Sequence, residues 1–309
     1  MTAEALGSRH ALGSRHSNPE KYQLLKAARP FSLVVAVLSC LQGIILGWQE
    51  SNAPFLYAAM ILFGGIFLQF AVNLINDHSD IRELDQRFPE ASDSEKRSIA
   101  KSIDRNYQLG ITCFLIAITI GLFLMTLRGL DLLWLCLIGL AGAYFYTQEP
   151  INYKNRGLGV PVVFFMMGIL MIAGSAFVMT GEFRVNDLLQ AIPLSILTSL
   201  LLLSNEIRDY ESDKAVGQKT LTVRIGYQSA VWLYRIMVLL AYFSAIGLWL
   251  VGAMPFTGLV LISILTLRAP WKLLKASAQD RLMITPLTGR FHAVFGALLL
   301  LSYLLPSPF

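Results

Sequence analysis

Asn73, Asp77 and Asp80 close a long apolar run, in the stretch Asn73-Leu74-Ile75-Asn76-Asp77-His78-Ser79-Asp80-Ile81-Arg82-Glu83-Leu84-Asp85. On a helix, spacings of four and three put these three oxygen-bearing side chains on one face. Carboxylates and carboxamides suit a hard divalent cation such as Mg²⁺, which commonly keeps substrate phosphates in its shell. Asn73 lies one turn deeper in the apolar run, where a carboxamide without a partner is costly. That distinguishes the face from a merely solvated span end. Asn205, Asp209 and Asp213 repeat the pattern in Asn205-Glu206-Ile207-Arg208-Asp209-Tyr210-Glu211-Ser212-Asp213-Lys214. Two such helix ends, face to face, could clamp a diphosphate through metal.

Cations lie between and beside them. Tyr144-Phe145-Tyr146-Thr147-Gln148-Glu149-Pro150-Ile151-Asn152-Tyr153-Lys154-Asn155-Arg156-Gly157-Leu158-Gly159 carries Lys154 and Arg156. Taken alone, this is also what any short inner loop of a membrane protein looks like. Beside an acidic metal face, the two cations are expected to neutralise an arriving diphosphate, Arg as a fork and Lys as a point charge. Arg208, Lys214 and Lys219 would widen the same funnel. Nothing suggests a Ser-His-Asp or Cys-His constellation. His10 and His16 lie in the N-terminal tail, and His78 and His292 read as solvated or packed. Cys40, Cys113 and Cys136 fall in apolar runs without ligand spacing and read as small buried side chains.

The elements that must position these groups are membrane spans. The 309 residues are 55% apolar and 15% charged, against about 25% charged in a soluble domain. Apolar runs recur near 31–48, 54–77, 109–127, 130–147, 159–180, 187–208, 229–251, 254–270 and 290–305. This predicts an all-α polytopic membrane protein with nine transmembrane helices, residues 31–309 forming a single domain. Residues 1–30, where Ala-Leu-Gly-Ser-Arg-His occurs twice, are expected to be a disordered cytosolic tail without a signal peptide. With the N-terminus inside, 22 of the 25 Lys and Arg fall on the inner side. The basic bias therefore predicts a multi-pass protein of the cell (inner) membrane with a cytoplasmic N-terminus. The net charge of +5 finds its explanation there, and no nucleic-acid partner is expected. Both acidic stretches end spans that run inward, so spans one to four and five to eight read as a weak parallel pseudo-repeat with a ninth helix added. The inner loops 78–106 and 209–228 would cap the site. Within the first, residues 91–105 read as a short solvated helix opened by a capping box of Ser92 and Glu95.

Asn73-x-x-x-Asp77-x-x-Asp80 and Asp209-x-x-x-Asp213 resemble the two aspartate-rich motifs of the UbiA superfamily of intramembrane prenyltransferases. The segment Arg208 to Leu221, Tyr146-Thr147, Lys154, Arg156-Gly157-Leu158-Gly159 and Leu287-Thr288-Gly289-Arg290-Phe291-His292 resemble its 1,4-dihydroxy-2-naphthoate (menaquinone) branch. The resemblance runs from about residue 30 to the end. It implies nine helices around a central cavity with a cytosolic cap, Mg²⁺ as cofactor, a polyprenyl diphosphate donor and an aromatic acceptor. It further implies that Asp77, Asp80, Asp209 and Asp213 hold metal, with Asn73 and Asn205 as auxiliary ligands. Asp77, Asp209 and Asp213 would then be central to catalysis, and Tyr146, Lys154, Arg156, Arg208, Lys214 and Lys219 would face substrate. Two features depart from the branch. Glu206 stands where it often has a second Asn, and the loop after Asp85 lacks a Gly-Pro-x-Arg-type segment. The alternatives are an enzyme of the same family using hydroxybenzoate, chlorophyll or heme as acceptor, and, more distantly, a transporter. A transporter would show polar, broken helices at mid-membrane, whereas these acids cluster at the inner ends.

Overall fold

The computed structural model describes residues 19–146, 148–215, 217–255 and 257–305, apart from the side chains of Ser79, Glu83 and Gln86. The two hexamers and Thr147 lie outside the described residues. The described chain is helical, without strands. Its main helices are α1 (Pro30–Trp48), α2 (Phe55–Asn76), α3 (Asp93–Arg128), α4 (Asp131–Tyr144), α5 (Gly159–Thr180), α6 (Val185–Arg208), α7 (Tyr227–Leu250), α8 (Ile264–Leu273) and α9 (Ile284–Leu304). Among the described residues seven helices are long and apolar enough to cross a bilayer. The fourth and eighth expected spans fall on shorter helices: α4, and α8 with the 3₁₀ turn Gly258–Ser263 before it.

The inner segments differ from the sequence expectations. The short solvated helix and the third span are a single helix, α3, of 36 residues. Nothing between them breaks it: Gly110 is a contact point, where an added Cβ would come within 3.1 Å of Leu74 and Ile75 on α2. At 1.5 Å per residue α3 is about 54 Å long, well beyond a bilayer core of about 30 Å. Its capping box is present, Glu95 N donating to Ser92 Oγ and Ser92 N to Glu95 Oε2. The described part of the expected tail, from residue 19 on, carries helical turns. Pro19–Tyr22 and Leu24–Ala27 are helical turns, and Tyr22 is buried against Leu84, Phe88, Ile99 and Ile103. Its ring is the large apolar group that a tail of polar and basic residues conceals.

α6 is the central pillar. α1, α5, α7 and α9 pack around it, and most of its surface is buried. Leu194, Leu197 and Leu200 meet Tyr234 of α7 and Phe291 and Phe295 of α9 in the main core. In lipid the association of helices depends on close packing rather than on escape from water. The α1–α5 seam illustrates this: a Cβ on Gly43 would lie 2.2 Å from the Ile172 carbonyl oxygen. The charges left outside the inner set are held by partners. Arg128 donates to the carbonyls of Val178 and Met179 at the end of α5. Arg184 pairs with Asp187 and donates to Leu46 O. Arg235, inside α7, lies between the rings of Trp232 and Trp271 at 5.1 and 5.5 Å. Cys40 and Cys113 are buried as expected, but Cys136 on α4 is exposed, because α4 turns much of its surface outward.

Candidate active site

The first acidic face is built where α2 tightens. α2 ends at Asn76 and continues as a 3₁₀ helix, Asp77–Glu83. Residues three apart eclipse in that geometry, so Asp77 and Asp80 stack on one side. Arg29 Nη2 lies 2.5 Å from Asp77 Oδ1. Asp80 accepts from Lys21 Nζ at 2.8 Å and Tyr22 Oη at 3.0 Å, and Arg87 lies 3.0 Å from its other oxygen. Burial and the Asp80 charge hold the Tyr22 phenol protonated, well above its usual range. Asn73 is buried and fixed: its Nδ2 donates to Ala28 O and Ser32 Oγ, and its Oδ1 accepts from Gln69 Nε2. The carboxamide one turn inside the membrane thus has its partners, as the cost of leaving it without them demands.

The second face crosses a helix joint. α6 ends at Arg208, and a short helix, Tyr210–Ala215, follows. The spacing survives because Asp209 N donates to Asn205 O and Asp213 N to Asp209 O, at 3.0 and 2.9 Å. Arg208 grips Asp209 with two bonds, at 2.8 and 2.6 Å. Asp213 accepts from Thr220 Oγ1 at 3.5 Å. Burial, then the neighbouring Asp209 charge, pushes its carboxyl up to about 6, against the pull of the Lys154 ammonium. Glu206 turns away toward Thr222, its Oε2 accepting from both the backbone N and Oγ1 at 3.0 Å.

A cavity of about 220 Å³ reaches the two faces at their carboxamides: Asn73, Asn76, Arg29 and Ser32 line one side and Asn205 and Thr198 the other, while Asp77, Asp80, Asp209 and Asp213 do not line it. Tyr146 and Tyr153 line it as well, their rings edge to face at 5.3 Å. Tyr153 Oη donates to Gly142 O, which ties the inner loop back to α4. Arg156 donates to Pro150 O within its own loop at 2.6 Å. Lys219 is held through its backbone, its N donating to Asn155 Oδ1. Lys214 lies 5.8 Å from the ring centroid of Tyr210. The structure therefore brings Asn73, Asn205 and Tyr146 to one cavity and sets Lys154 beside Asp213. Arg156 and Lys214 make their contacts within their own loops.

Among the described residues, no three acidic, His or Cys side chains gather closely enough to hold an ion by themselves. What is present is paired carboxylates and carboxamide oxygens, with arginine and lysine supplying the positive charge beside Asp77, Asp80 and Asp209. This donor set fits Mg²⁺, which is usually held by one or two carboxylates and completes its shell with water and phosphate oxygens.

A bundle of membrane-spanning helices, with a cavity lined by Arg29, Asn73 and Asn205 beside two acidic, cation-paired helix ends, defines an integral-membrane protein built to handle a polar group at the edge of lipid. The chain belongs to the UbiA prenyltransferase family, whose model matches residues 36–302, and it is a prenyltransferase. It is 29% identical to the 1,4-dihydroxy-2-naphthoate octaprenyltransferase of Bacillus subtilis (strain 168) over 91% of this chain and 92% of that one. Its identity to the enzyme of the same name from Mycobacterium leprae (strain TN) is 28%, over 70% and 74% of the two chains. The solved UbiA homolog from Archaeoglobus fulgidus bound to GPP and Mg²⁺ shares the fold, with a TM-score of 0.56 and 16% identity over 90% of this chain and 99% of that one.

Sequence reasoning missed the cations that answer the first acidic face. Lys21 and Arg29 read only as positive-inside charges, and Arg87 as loop. The available signal was Tyr22, an aromatic isolated among polar residues before the first span. It also missed Arg281, buried in the 3₁₀ turn Asp280–Met283 just before α9, which pairs with Glu211 and lies over the Tyr227 ring at 4.6 Å.

Proposed function

We propose that this prenyltransferase moves a polyprenyl group from an isoprenoid diphosphate to 1,4-dihydroxy-2-naphthoate, with Mg²⁺, to make a menaquinone precursor. The observation that carries the acceptor is the likeness over nine-tenths of both chains to the Bacillus subtilis enzyme of that name. Glu206, a departure from that branch, is held by Thr222 through its Oε2.

Asp77, Asp80, Asp209 and Asp213, with Asn73 and Asn205, are the residues that would hold metal. Mg²⁺ supplies positive charge for the diphosphate oxygens as they take up electrons. Lys154 adds a point charge on the Asp213 side, and Arg29 and Arg208 stand ready to exchange a carboxylate for a phosphate oxygen. The allylic C–O bond breaks with its electron pair leaving on diphosphate. The ring carbon that bears the carboxylate bonds to the allylic cation, and aromaticity returns as its bond to the carboxylate breaks, the electron pair staying with the ring and CO₂ leaving. The apolar cavity walls, among them Val35, Leu68, Val163 and Met167, keep water from that cation. The chain would lie in the cell membrane with both acidic faces toward the cytoplasm, a placement that the basic-residue bias supports.

The test offers dihydroxynaphthoate and 4-hydroxybenzoate in parallel to purified protein with Mg²⁺ and labelled geranylgeranyl or longer diphosphate. A prenylated naphthalene product is expected. Prenylation of hydroxybenzoate alone would end the menaquinone assignment.

A further inference from the structure

Of the three basic residues outside the inner set, the chain answers two with oxygen. Arg128 donates to the carbonyls of Val178 and Met179, and Arg184 to Leu46 O and Asp187. Arg235 is different. It lies eight residues into α7 from Tyr227, about 12 Å along the helix at 1.5 Å per residue. Its Nε is buried without a hydrogen-bond partner. Its company is two indoles, Trp232 at 5.1 Å and Trp271 at 5.5 Å. Indole faces attract the guanidinium charge but accept none of its in-plane N–H groups. A cation within a membrane span is costly unless something answers it.

α8 brings more positive charge to the same place. Spacings of three and four put Trp271 and Lys272 on one face of α8 with Arg268, and Lys275 follows in the next turn. Arg268, Lys272 and Lys275 are exposed. Among the described residues no carboxylate pairs with these three or with Arg235, whereas Lys21, Arg29, Arg208 and Arg281 each meet one. Tyr227 Oη donates to Leu274 O at 3.0 Å, which brings the start of α7 to the end of α8, on the side of the acidic faces. Both helices stand at the perimeter there: α7 packs inward on α6, and α8 on α9. Trp232, Ile236, Leu239 and Phe243 form an exposed stripe along α7 that descends from the level of Arg235.

We propose that the ends of α7 and α8 form a binding site for the headgroup of an anionic phospholipid, in the leaflet on the side of the acidic faces. Arg235 offers a phosphodiester its fork, Arg268, Lys272 and Lys275 add charge, and the α7 stripe receives the acyl chains. The long arginine side chain reaches toward the headgroup level from within the span, and tryptophan is at home at that interface. Basic pockets between membrane helices on one side of a bilayer suit this class of lipid. A zwitterionic lipid would bring its own cation to four that already lack a counter-charge, so the headgroup must be net negative. None of these residues lines the acidic cavity, and the site is independent of which acceptor the enzyme takes.

The test uses the full chain in phosphatidylcholine vesicles with a graded minor share of brominated phosphatidylglycerol or, in parallel, brominated phosphatidylcholine. Quenching of tryptophan fluorescence is the readout, since Trp232 and Trp271 sit in the site. Half-maximal quenching is expected at a share at least about fivefold lower for phosphatidylglycerol, the scale of one basic residue at a charged surface. Arg235→Gln combined with Lys272→Gln should bring the two lipids within about twofold of each other. Lys101→Gln combined with Arg105→Gln removes the same charge from the exposed part of α3 and should keep the preference. No preference in the parent overturns the proposal. An equal loss in the α3 variant overturns it too, by reducing the effect to general surface charge. Loss of the preference on adding inorganic phosphate, with ionic strength matched by chloride, would give the site to free phosphate and likewise overturn it. If Arg235→Gln lowers the thermal midpoint so far that the chain does not fold, Lys272→Gln with Lys275→Gln decides. That exposed pair should narrow the preference, and an unchanged preference overturns the proposal.

Discussion

Glu206 Oε2 lies 3.0 Å from both the backbone nitrogen and the hydroxyl oxygen of Thr222. One carboxylate oxygen thus joins the last turn of α6 to the start of the short helix Leu221–Ile225. Between them runs the loop that carries Asp209 and Asp213. Glu206 is 5% exposed, so these bonds form away from water, where a lost partner is expensive. Hydrogen bonds to a charged group contribute about 1.5–3 kcal/mol. Glu206→Ala should therefore lower the thermal midpoint of the detergent-solubilised enzyme and raise the donor KM, since it loosens the loop that positions two acids. Glu206→Gln, which keeps an acceptor oxygen, should recover most of both. If Glu206→Ala instead changed only the preference among acceptors, the residue would belong to the acceptor pocket.

The metal assignment makes a harder demand. Asp77 and Asp209 stand on separate stretches, each already facing a guanidinium at 2.5–2.6 Å. Asp77→Asn or Asp209→Asn keeps the shape and removes the charge. Each should cost at least about a hundredfold in kcat/KM, the scale of losing a charged contributor to leaving-group stabilisation. Chelation should abolish turnover in the parent, and Mg²⁺ should restore it. Near-normal rates in both single variants would remove these aspartates from the site.

How much of this was legible in the sequence follows from the range of the interactions involved. The helices and the acidic faces are local features: apolar runs fix the first, and spacings of three and four residues fix the second. The spacing at Asp209 survived even though α6 ends beneath it, because the i to i+4 backbone bonds continue through the joint. The partners of those faces come from afar. Lys21 reaches Asp80 across 59 positions and Arg29 reaches Asp77 across 48, and no periodicity encodes such pairs. The fusion of the cap helix with the third span went unread for a different reason. Residues 93–108 are polar and residues 109–127 apolar, so composition changes where the backbone does not.

Orientation is open to a direct measurement. Most Lys and Arg lie on the side of the acidic faces, whereas Arg128 and Arg184 sit at the opposite ends of the helices, on carbonyls and Asp187. In a cysteine-free background, single cysteines at the exposed positions Ser92 and Lys214 should resist an impermeant maleimide in intact cells and react after lysis. A cysteine at Glu182, exposed on the loop before α6, should react in intact cells. The reverse pattern would invert the topology drawn from the basic residues.

Lys154 and Arg156 sit two residues apart in one loop, and the sequence gives them the same task. Their surroundings separate them. The Lys154 ammonium is near enough to Asp213 to oppose the rise in its pKa, so it stands at the second acidic face. The Arg156 guanidinium is engaged by Pro150 O in its own loop. A charge-assisted bond to a phosphate contributes about 1.5–3 kcal/mol, which is roughly ten- to a hundredfold in affinity. Lys154→Ala should therefore raise the donor KM by about tenfold or more while leaving the acceptor KM within about twofold. Arg156→Ala should raise the donor KM by less, because its guanidinium is already committed to a carbonyl that orders the loop. Lys154→Arg serves as the control for charge: it should keep part of the donor affinity if the diphosphate is the partner. Equal and large effects of both alanine variants on the donor would mean that Arg156 leaves Pro150 and turns to the diphosphate when substrate binds. A larger effect of Lys154→Ala on the acceptor KM than on the donor KM would move Lys154 to the ring end of the cavity.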